Sequence, residues 1–420
     1  MSDKKTIAVL DGVRAIAFLC VLTFHIDIVT KGLKLWDAAT IGPIASGVAM
    51  AGWSGVTLFF VLSGFLLFMP YAKAILFNDE WPQMGRFYLR RMLRILPGYY
   101  VALFLLILLF DRQYLRLDHW KEMALFLTFL MDATRLTFRK LNGPFWTLAV
   151  EWQYYMLLPW LALGFRWVCQ RLGRASLQRR WWTLVGCLCA VMVWGVAIRF
   201  WGIYYASYPT QTFLVPRPVI DVLLFFLFGI IGKFLEDFAV GMLISCCYVL
   251  SQRVLADHSL HWVGASLRRY SLWLWGSGVL LLFFMALWDT KHDFQVGTFW
   301  SYLIPPFDQF SELFLSLGYG ACMTAILFGP VILQRPFAWG PLRWLGLISY
   351  SLYIWHLPLL VRFSLWIMPY TQGWHHSVVY CLYWLCAAVI VVPCSYLFYK
   401  CVEQPWMWLS SKWFASRAAT

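Results

Sequence analysis

Three ionisable residues, Asp11, Arg14 and His25, lie in the first apolar segment of this 420-residue chain. On an α-helix, Arg14 and His25 would lie about 16 Å apart along the axis and about 20° apart around it, so both would point the same way. Asp11 lies one turn earlier on that face. Ionisable groups inside a membrane helix usually face the protein interior or a water-filled cavity. We predict a functional site here; in the alternative interpretation, Arg14 pairs with Asp11 and His25 is a buried structural histidine.

Glu151 is a second ionisable residue in an apolar setting, in the run from Phe145 to Tyr155. If this segment enters the membrane from the outer side, Glu151 lies roughly 9 Å below the outer surface, at a depth that His25 also reaches. A carboxylate there could orient the His25 imidazole and stabilise its charged form. A structural pairing of Glu151 with another buried donor is the alternative, and the residues alone do not separate the two.

Tyr353 and His356 lie in a third such segment and share a helical face, because their spacing is i, i+3. We interpret them as candidates for binding a polar substrate. The alternative is that they hold helices together through interhelical hydrogen bonds.

Four arginines, Arg86, Arg90, Arg91 and Arg94, form a basic cluster before another apolar segment. The spacing of Arg86, Arg90 and Arg94 predicts a stripe on one helical face at the cytoplasmic boundary. Guanidinium groups pair with phosphate oxygens bidentately, so the stripe suits a polyphosphate ligand. Anionic lipid headgroups are the alternative ligand.

The elements that position these side chains must be membrane helices. The chain is 61% hydrophobic, 19% aromatic and 13% charged, whereas a soluble domain carries about 25% charged residues. The net charge of +14 does not predict a nucleic-acid surface, because the basic residues fall in short loops. The 11 cysteines include no C-x-x-C pair, and we predict no metal site. Arg14 interrupts the first apolar segment and no small-residue cleavage site follows, so we expect an uncleaved span rather than a signal peptide.

Runs of about 20 apolar residues, the length that crosses the hydrocarbon core, predict about ten transmembrane helices. The predicted spans are 7–30, 48–72, 92–110, 145–168, 181–201, 234–250, 270–288, 311–333, 342–366 and 376–400. Two shorter pieces, 122–132 and 218–233, are expected to be re-entrant or interfacial. With ten spans and both termini in the cytoplasm, most Lys and Arg residues fall on the inner side. The fold class is therefore an all-α integral membrane protein in one domain, residues 1–405, with a short cytoplasmic tail, 406–420.

Together these segments resemble the acyltransferase-3 family of membrane-bound O-acyltransferases. In order, the motifs that carry the resemblance are Leu10-Asp11-Gly12-Val13-Arg14-Ala15-Ile16-Ala17 with His25, Phe59-Phe60-Val61-Leu62-Ser63-Gly64-Phe65, the arginine stripe, Trp146-Thr147-Leu148-Ala149-Val150-Glu151-Trp152, Ser349-Tyr350-Ser351-Leu352-Tyr353-Ile354-Trp355-His356, and Val402-Glu403-Gln404-Pro405. The last motif departs from the commoner Glu-Arg-Pro, which leaves the partner of Glu403 undefined. No SGNH-type hydrolase domain follows the membrane part, so a standalone form is expected. The segment 218–237, with Asp221, Glu236 and Asp237, matches no motif of the family.

The resemblance implies a bacterial inner-membrane enzyme that takes an acyl group from acyl-CoA, usually acetyl-CoA. The acceptor would be a hydroxyl, most often on a cell-surface glycan such as lipopolysaccharide. Coenzyme A would be held by its phosphates at Arg86, Arg90, Arg91 and Arg94, with its pantetheine arm passing Arg14. His25 would act as general base, assisted by Glu151 and Arg14, while Tyr353, His356 and Asp11 would bind substrate. A covalent acyl-His25 intermediate is the alternative to direct transfer.

Two other classes of function remain open on the sequence alone. In a transporter or flippase of a lipid-linked glycan, the buried Arg, His and Glu residues would be relay groups, although no inverted repeats are visible. A receptor or scaffold would leave His25 and Glu151 unexplained. Further outer residues could bind sugar or belong to an aromatic belt: Trp288, Asp289, Asp293, Trp300 and Asp308.

Overall fold

The computed structural model describes residues 2–172, 176–212, 215–254, 259–289 and 304–416, and within these ranges the chain is helical and contains no strand. A charge-poor chain in hydrocarbon must satisfy its backbone N–H and C=O groups internally, and a helix does so within one segment. The confirmed all-α class follows from that requirement.

Nineteen α-helices occur in the described residues. They are α1 Ser2–Val29, α2 Ala38–Ile41, α3 Pro43–Met50, α4 Gly55–Phe77, α5 Met84–Phe110, α6 Trp120–Leu127, α7 Phe145–Leu172, α8 Leu177–Ser207, α9 Arg217–Leu223, α10 Leu235–Arg253, α11 His261–Arg269, α12 Ser271–Asp289, α13 Ile304–Phe328, α14 Val331–Gln334, α15 Gly340–Leu347, α16 Ser349–Ile367, α17 His376–Cys386, α18 Val392–Phe398 and α19 Gln404–Ser416. Short 3₁₀ segments lie at Lys31–Leu33, Ala51–Ser54, Arg112–Leu115, Leu117–His119 and Met368–Tyr370, and π-helical turns lie at Leu224–Phe228, Ala387–Val391 and Tyr399–Glu403.

Nine helical segments in the described residues are long and apolar enough to cross a membrane. They are Val9–Val29, Pro43–Phe77, Met84–Phe110, Leu177–Ser207, Leu235–Arg253, Ser271–Asp289, Gln309–Phe328, Ser349–Tyr370 and His376–Ser410. Each overlaps one predicted span. The remaining predicted span, 145–168, lies in α7, a helix of 28 residues. Its composition is more polar than that of the nine segments. The pieces 122–132 and 218–233 contain only short helices. Their re-entrant or interfacial position stays a prediction, as does the cytoplasmic position of the termini.

The last predicted span, 376–400, continues further than expected. Helical structure runs from His376 through the two π-helical turns into α19, which ends at Ser416. The π-helical turns widen the helix without ending it. The division of the chain at residue 405 stays a prediction.

The chain divides into two compact units. Unit one comprises Met1–Phe24, Lys34–Pro82 and Leu157–Leu347, and unit two comprises His25–Leu33, Gln83–Met156 and Ile348–Thr420. The helices α1 and α7 therefore contribute residues to both.

In unit one, α10 packs against α4 at very short range. A Cβ atom added to Gly64 of α4 would lie 2.2 Å from the Phe238 carbonyl oxygen, and one added to Gly241 of α10 would lie 2.0 Å from the Val61 oxygen. Because any larger side chain would collide with backbone, glycine at both positions lets the helices approach closely, as small residues do in membrane proteins.

Unit one also buries an ion cluster between its helices. The Arg199 guanidinium donates from Nε and Nη2 to Glu236 Oε1 at 3.1 and 2.6 Å, and from Nη1 to the Ile231 carbonyl at 2.9 Å. Glu312 accepts a hydrogen bond from Thr57 at 2.9 Å. Asp237 is fully buried beside Glu236 and Glu312. Three carboxyl groups thus face one guanidinium away from solvent.

In unit two, α16 is anchored at the point where a proline interrupts its hydrogen bonding. Pro358 lies inside the helix and has no N–H, so the Ile354 carbonyl loses its usual helical donor. The side-chain amide of Asn142 donates to that carbonyl at 2.9 Å, and Asn142 is itself buried. This bond satisfies the carbonyl two residues before His356 and fixes this part of the helix.

Candidate active site

His25 and His356 form a hydrogen-bonded pair in unit two. His25 Nδ1 lies 3.1 Å from His356 Nε2, and the ring centroids are 4.9 Å apart in an edge-on arrangement. His356 Nδ1 lies 3.0 Å from the Leu352 carbonyl oxygen. His356 is completely buried, whereas His25 is partly accessible. The sequence placed these residues in separate predicted roles, and the structure brings them into contact.

Tyr353 extends this polar group on the same helix. Its ring centroid lies 5.7 Å from that of His356, and its hydroxyl oxygen accepts a hydrogen bond of 2.8 Å from Thr147 of α7. The predicted common face of Tyr353 and His356 is therefore present in α16. The role of the two residues in substrate binding stays a prediction.

Arg139 lies close enough to Tyr353 to interact with it electrostatically. It belongs to the segment before α7, outside the nine spans, and partial burial of the guanidinium lowers the pKa of Arg139. Its side chain also covers the ring of Phe138, with 5.0 Å between the guanidinium carbon and the ring centre. No role was predicted for this arginine, because nothing in its local pattern relates it to a residue in α16.

Asp27 is a further buried acid, for which no role was predicted from the sequence. It is 3% exposed and accepts a hydrogen bond of 2.8 Å from the Tyr380 hydroxyl of α17. Two residues along a helix are about 200° apart, so Asp27 points away from His25. We interpret Asp27 as an anchor for the end of α1 that carries His25.

Glu151 accepts a hydrogen bond from the Tyr155 hydroxyl, one turn further along α7. The Arg91 guanidinium lies 5.9 Å from the centre of the Tyr155 ring and interacts electrostatically with Glu151 and Arg94. The structure thus brings the predicted acid close to Arg91, which in turn lies near Arg94, and both belong to the basic cluster of four arginines. The hydrogen bonds described for Glu151 and His25 have different partners, so the orientation of His25 by Glu151 stays a prediction.

The arginines of α5 differ in their surroundings. Arg90 is exposed, whereas Arg86, Arg91 and Arg94 are partly buried. Arg94 interacts electrostatically with Glu403. Arg91 and Arg94 are i, i+3 neighbours and share a face, and the role of the four arginines in binding coenzyme A stays a prediction.

Glu403 of the closing motif has a clear partner although the commoner arginine is replaced by Gln404. The Ser351 hydroxyl of α16 donates a hydrogen bond to it, and its side chain is buried. The neighbouring Tyr350 hydroxyl donates to the Ile95 carbonyl of α5 at 2.9 Å. The Ser-Tyr-Ser start of α16 therefore links α5, α16 and the C-terminal helical segment.

Arg14 and Asp11 lie in unit one and form an ion pair of 3.1 Å, with about a fifth of each side chain exposed, 22% and 21%. This is the contact expected in the structural alternative for the two residues. The roles of Arg14 in catalysis and coenzyme A binding, and of Asp11 in substrate binding, stay predictions.

Of the further outer residues, only two can be placed. Trp288 is buried against Leu315 and Phe314, and Asp289 accepts a hydrogen bond of 2.9 Å from the Trp53 indole. Both side chains therefore have contacts inside unit one, where Trp288 is part of the core rather than of an aromatic belt. Asp293 and Trp300 lie outside the described residues, as does the side chain of Asp308.

A metal site would need several ligating side chains close together in the described part of the chain. There, no group of three or more His, Cys, Asp or Glu side chains could hold a metal ion. Beside the histidine pair, the Tyr353 ring adds a hydroxyl, a group that both donates and accepts hydrogen bonds.

Comparison with known proteins shows the family of this chain. A family model described as "Acyltransferase domain" matches residues 7–400. The chain belongs to this family, which confirms the resemblance drawn from its motifs.

Two curated bacterial relatives are similar to most of this chain. YrhL of Bacillus subtilis (strain 168), provisionally named a peptidoglycan O-acetyltransferase, is 25% identical over 84% of this chain and 48% of its own length. The peptidoglycan O-acetyltransferase OatA of Listeria monocytogenes serovar 1/2a is 22% identical over 85% of this chain and 50% of its own length. The chain thus spans about half the length of these relatives, and no solved structure matches it significantly.

Proposed function

We propose that this chain is a membrane-embedded O-acyltransferase of the bacterial cytoplasmic membrane, which transfers an acetyl group from acetyl-CoA to a sugar hydroxyl of a cell-envelope glycan. The observation that carries the proposal is the His25–His356 pair, in which a partly accessible imidazole is hydrogen-bonded to a buried one, inside a domain of the acyltransferase family. Peptidoglycan is the glycan named in both relatives, so a peptidoglycan sugar is the first acceptor to test.

In the proposed reaction His25 removes the proton from the acceptor hydroxyl. The hydroxyl oxygen attacks the thioester carbonyl, a C–O bond forms, and the C–S bond to coenzyme A breaks. The departing thiolate takes up a proton, so that the products are the O-acetylated sugar and free coenzyme A. General base catalysis of this kind contributes typically about 10²–10⁴-fold to a rate.

Arg91 and Arg94 have the chemistry to hold the phosphates of coenzyme A, because guanidinium groups bind phosphate through paired hydrogen bonds. Their position beside Glu151 and Glu403 limits the net positive charge at that point. Arg86 and Arg90 on the same helix would add to the attraction of a multiply charged donor.

Acetyl transfer from radiolabelled acetyl-CoA to peptidoglycan fragments, with purified protein in nanodiscs, tests the proposal. We expect transfer by the wild-type protein and a loss of at least about 100-fold in His25→Ala. His376→Ala is the matched control, since His376 is an exposed histidine of α17, and it should transfer label at the wild-type rate.

The acceptor and the donor can be examined in the same assay. Other envelope glycans replace peptidoglycan in parallel reactions, and Arg91→Gln is compared with Arg116→Gln, an exposed arginine outside the site. A raised KM for acetyl-CoA in Arg91→Gln alone supports phosphate binding there. If no glycan is labelled and acetyl-CoA does not bind the wild-type protein, the proposed function is wrong.

A further inference from the structure

The two histidines lie in a line of hydrogen bonds that ends on a backbone carbonyl. In order, the contacts are His25 Nδ1 to His356 Nε2 at 3.1 Å and His356 Nδ1 to the Leu352 oxygen at 3.0 Å. Both distances lie in the normal range for nitrogen donors. The donor and acceptor of each bond follow from the Leu352 carbonyl, the last group in the line.

A carbonyl oxygen only accepts hydrogen bonds, so His356 Nδ1 must carry the proton of the Leu352 contact. In a neutral imidazole one nitrogen donates and the other accepts, which makes His356 Nε2 an acceptor. The proton of the histidine–histidine contact must then be on His25 Nδ1. Neutral His25 therefore carries its lone pair on Nε2, the nitrogen on the far side of the ring.

The surroundings of His356 favour this neutral form. Its side chain is fully buried, so a positive charge on His356 would be unfavourable away from solvent. It would be more so when His25 beside it is also protonated. The α16 backbone, satisfied around Pro358 by Asn142, holds the Leu352 and His356 positions. The tautomer of His25 is thus determined by the main chain of another helix, through one intervening side chain.

We propose that His356 is a positioning residue that fixes the proton of His25 on Nδ1, so that Nε2 is the atom that receives the acceptor hydroxyl's proton. This inference rests on the proposed function, in which His25 is the general base. The proposed roles differ from those predicted from the sequence, in which Glu151 orients His25 and His356 binds substrate. When Nε2 takes up a proton, the bond from Nδ1 to His356 becomes charge-assisted and stronger.

Two substitutions of His356 separate the hydrogen bond from the bulk of the side chain. In His356→Gln, the amide oxygen can still accept from His25 Nδ1, whereas in His356→Leu a side chain of moderate size offers no acceptor. We expect His356→Gln to retain activity within about tenfold of the wild type. His356→Leu should lose about 100-fold, the lower end of a general-base contribution, while it still binds acetyl-CoA.

The tautomer itself is measured by solid-state NMR of the protein in nanodiscs with ¹⁵N-labelled histidine, and His25 is assigned by the signals that disappear in His25→Gln. The expected result is a protonated Nδ1 and an unprotonated Nε2 for His25 in the wild type and in His356→Gln, with this preference lost in His356→Leu. His376→Gln serves as the control and should leave the His25 signals unchanged.

Two results would overturn the proposal: a wild-type His25 whose proton is on Nε2, or a folded His356→Leu with an unchanged His25 tautomer. If His356→Leu does not fold, the wild-type and His356→Gln spectra still decide between the two tautomers. The NMR measurement needs neither donor nor acceptor. A wild-type protein with the expected tautomer and no transferase activity would therefore reject the proposed function while leaving the hydrogen-bond assignment in place.

Discussion

Both units bury ionisable side chains among membrane helices. The charge of these side chains is balanced by an ion pair in unit one, and it is avoided by neutral hydrogen bonds in unit two. In unit one, Arg199 donates three hydrogen bonds, two of them to Glu236, and both side chains are almost fully buried. In unit two, His25 and His356 form a line of neutral hydrogen bonds, and His25 remains partly accessible.

The difference indicates separate tasks. A buried ion pair is fixed in its charge state, because removal of either partner leaves an uncompensated charge away from water. A neutral imidazole pair leaves no uncompensated charge behind when one of its members is replaced. We therefore expect substitutions in the first group to act on stability and substitutions in the second to act on activity.

The largest effect is expected for Arg199→Met. This change leaves the Glu236 carboxylate buried without its guanidinium, which should cost about 3–5 kcal/mol of unfolding free energy. Thermal and denaturant unfolding in detergent measures it. The double variant Arg199→Met/Glu236→Leu removes both charges and should recover most of the loss; a single variant that unfolds like the wild type would show that the pair does not hold the helices.

His25→Gln should show the opposite pattern. The glutamine amide can still donate toward His356 but cannot accept a proton as a base, so acetyl transfer should fall by about 100-fold or more. Its unfolding midpoint should stay near that of the wild type, because one half-buried neutral polar side chain, histidine, is replaced by a second one, glutamine. A large loss of stability in this variant would contradict the proposed separation of tasks.

Asp237→Asn tests the member of the ion cluster whose carboxylate oxygens are least well hydrogen-bonded. Within the described residues neither Asp237 oxygen accepts a hydrogen bond of normal geometry, and the nearby Ser316 hydroxyl donates to the Leu313 carbonyl at 2.9 Å. An amide of the same shape removes the cost of a third buried acid, so the change should be neutral or stabilise by about 1 kcal/mol. A loss comparable to that of Arg199→Met would mean that the Asp237 charge is required.

The smallest effect is expected at an ion pair outside the buried cluster. Arg253 Nη1 donates to Asp79 at 2.6 Å, with 40% and 33% of the two side chains exposed. That hydrogen bond, together with the charge of Arg253, holds the pKa of Asp79 below its ordinary value. The pair therefore stabilises the fold at neutral pH, and this stabilisation is lost as the pH falls below about 4.

Asp79→Asn should cost only about 0.2–1 kcal/mol at pH 7, because exposed pairs are screened by solvent. The difference in unfolding midpoint between this variant and the wild type should shrink as the pH is lowered toward 3. A difference that grows with acidification would contradict the sign of the Asp79 shift.

The membrane helices were predictable because they depend on local hydropathy. Each of the nine long apolar helical segments in the described residues overlaps a predicted span. The side-chain pairs could not be predicted, since they join residues that are far apart in the chain. His25 and His356 are separated by 331 positions, and Arg199 and Glu236 by 37. Helical periodicity states which face a residue occupies but not which helix lies opposite.

Single residues show the same limit. Arg199 lay inside a predicted span and Glu236 and Asp237 in a segment without a match, so the signal for a buried cluster was present as three charges in apolar surroundings. Asp27 was equally visible as an acid within the first span. In each case the residue type was informative, while the partner could be found only from the packed helices.

The helix α10 has a consequence for how the protein enters the bilayer. It carries Glu236 and Asp237 in its first turn, has the lowest mean hydropathy of the nine described spans, and is the most completely enclosed by protein. An acidic residue in a membrane helix makes insertion less favourable by up to about 3 kcal/mol, and lipid offers it no partner. We therefore expect α10 to insert stably only when it packs against α8, which supplies Arg199, and against α4, whose Gly64 allows close approach. The ion pair that holds the finished unit thus also sets the order in which its helices can be assembled.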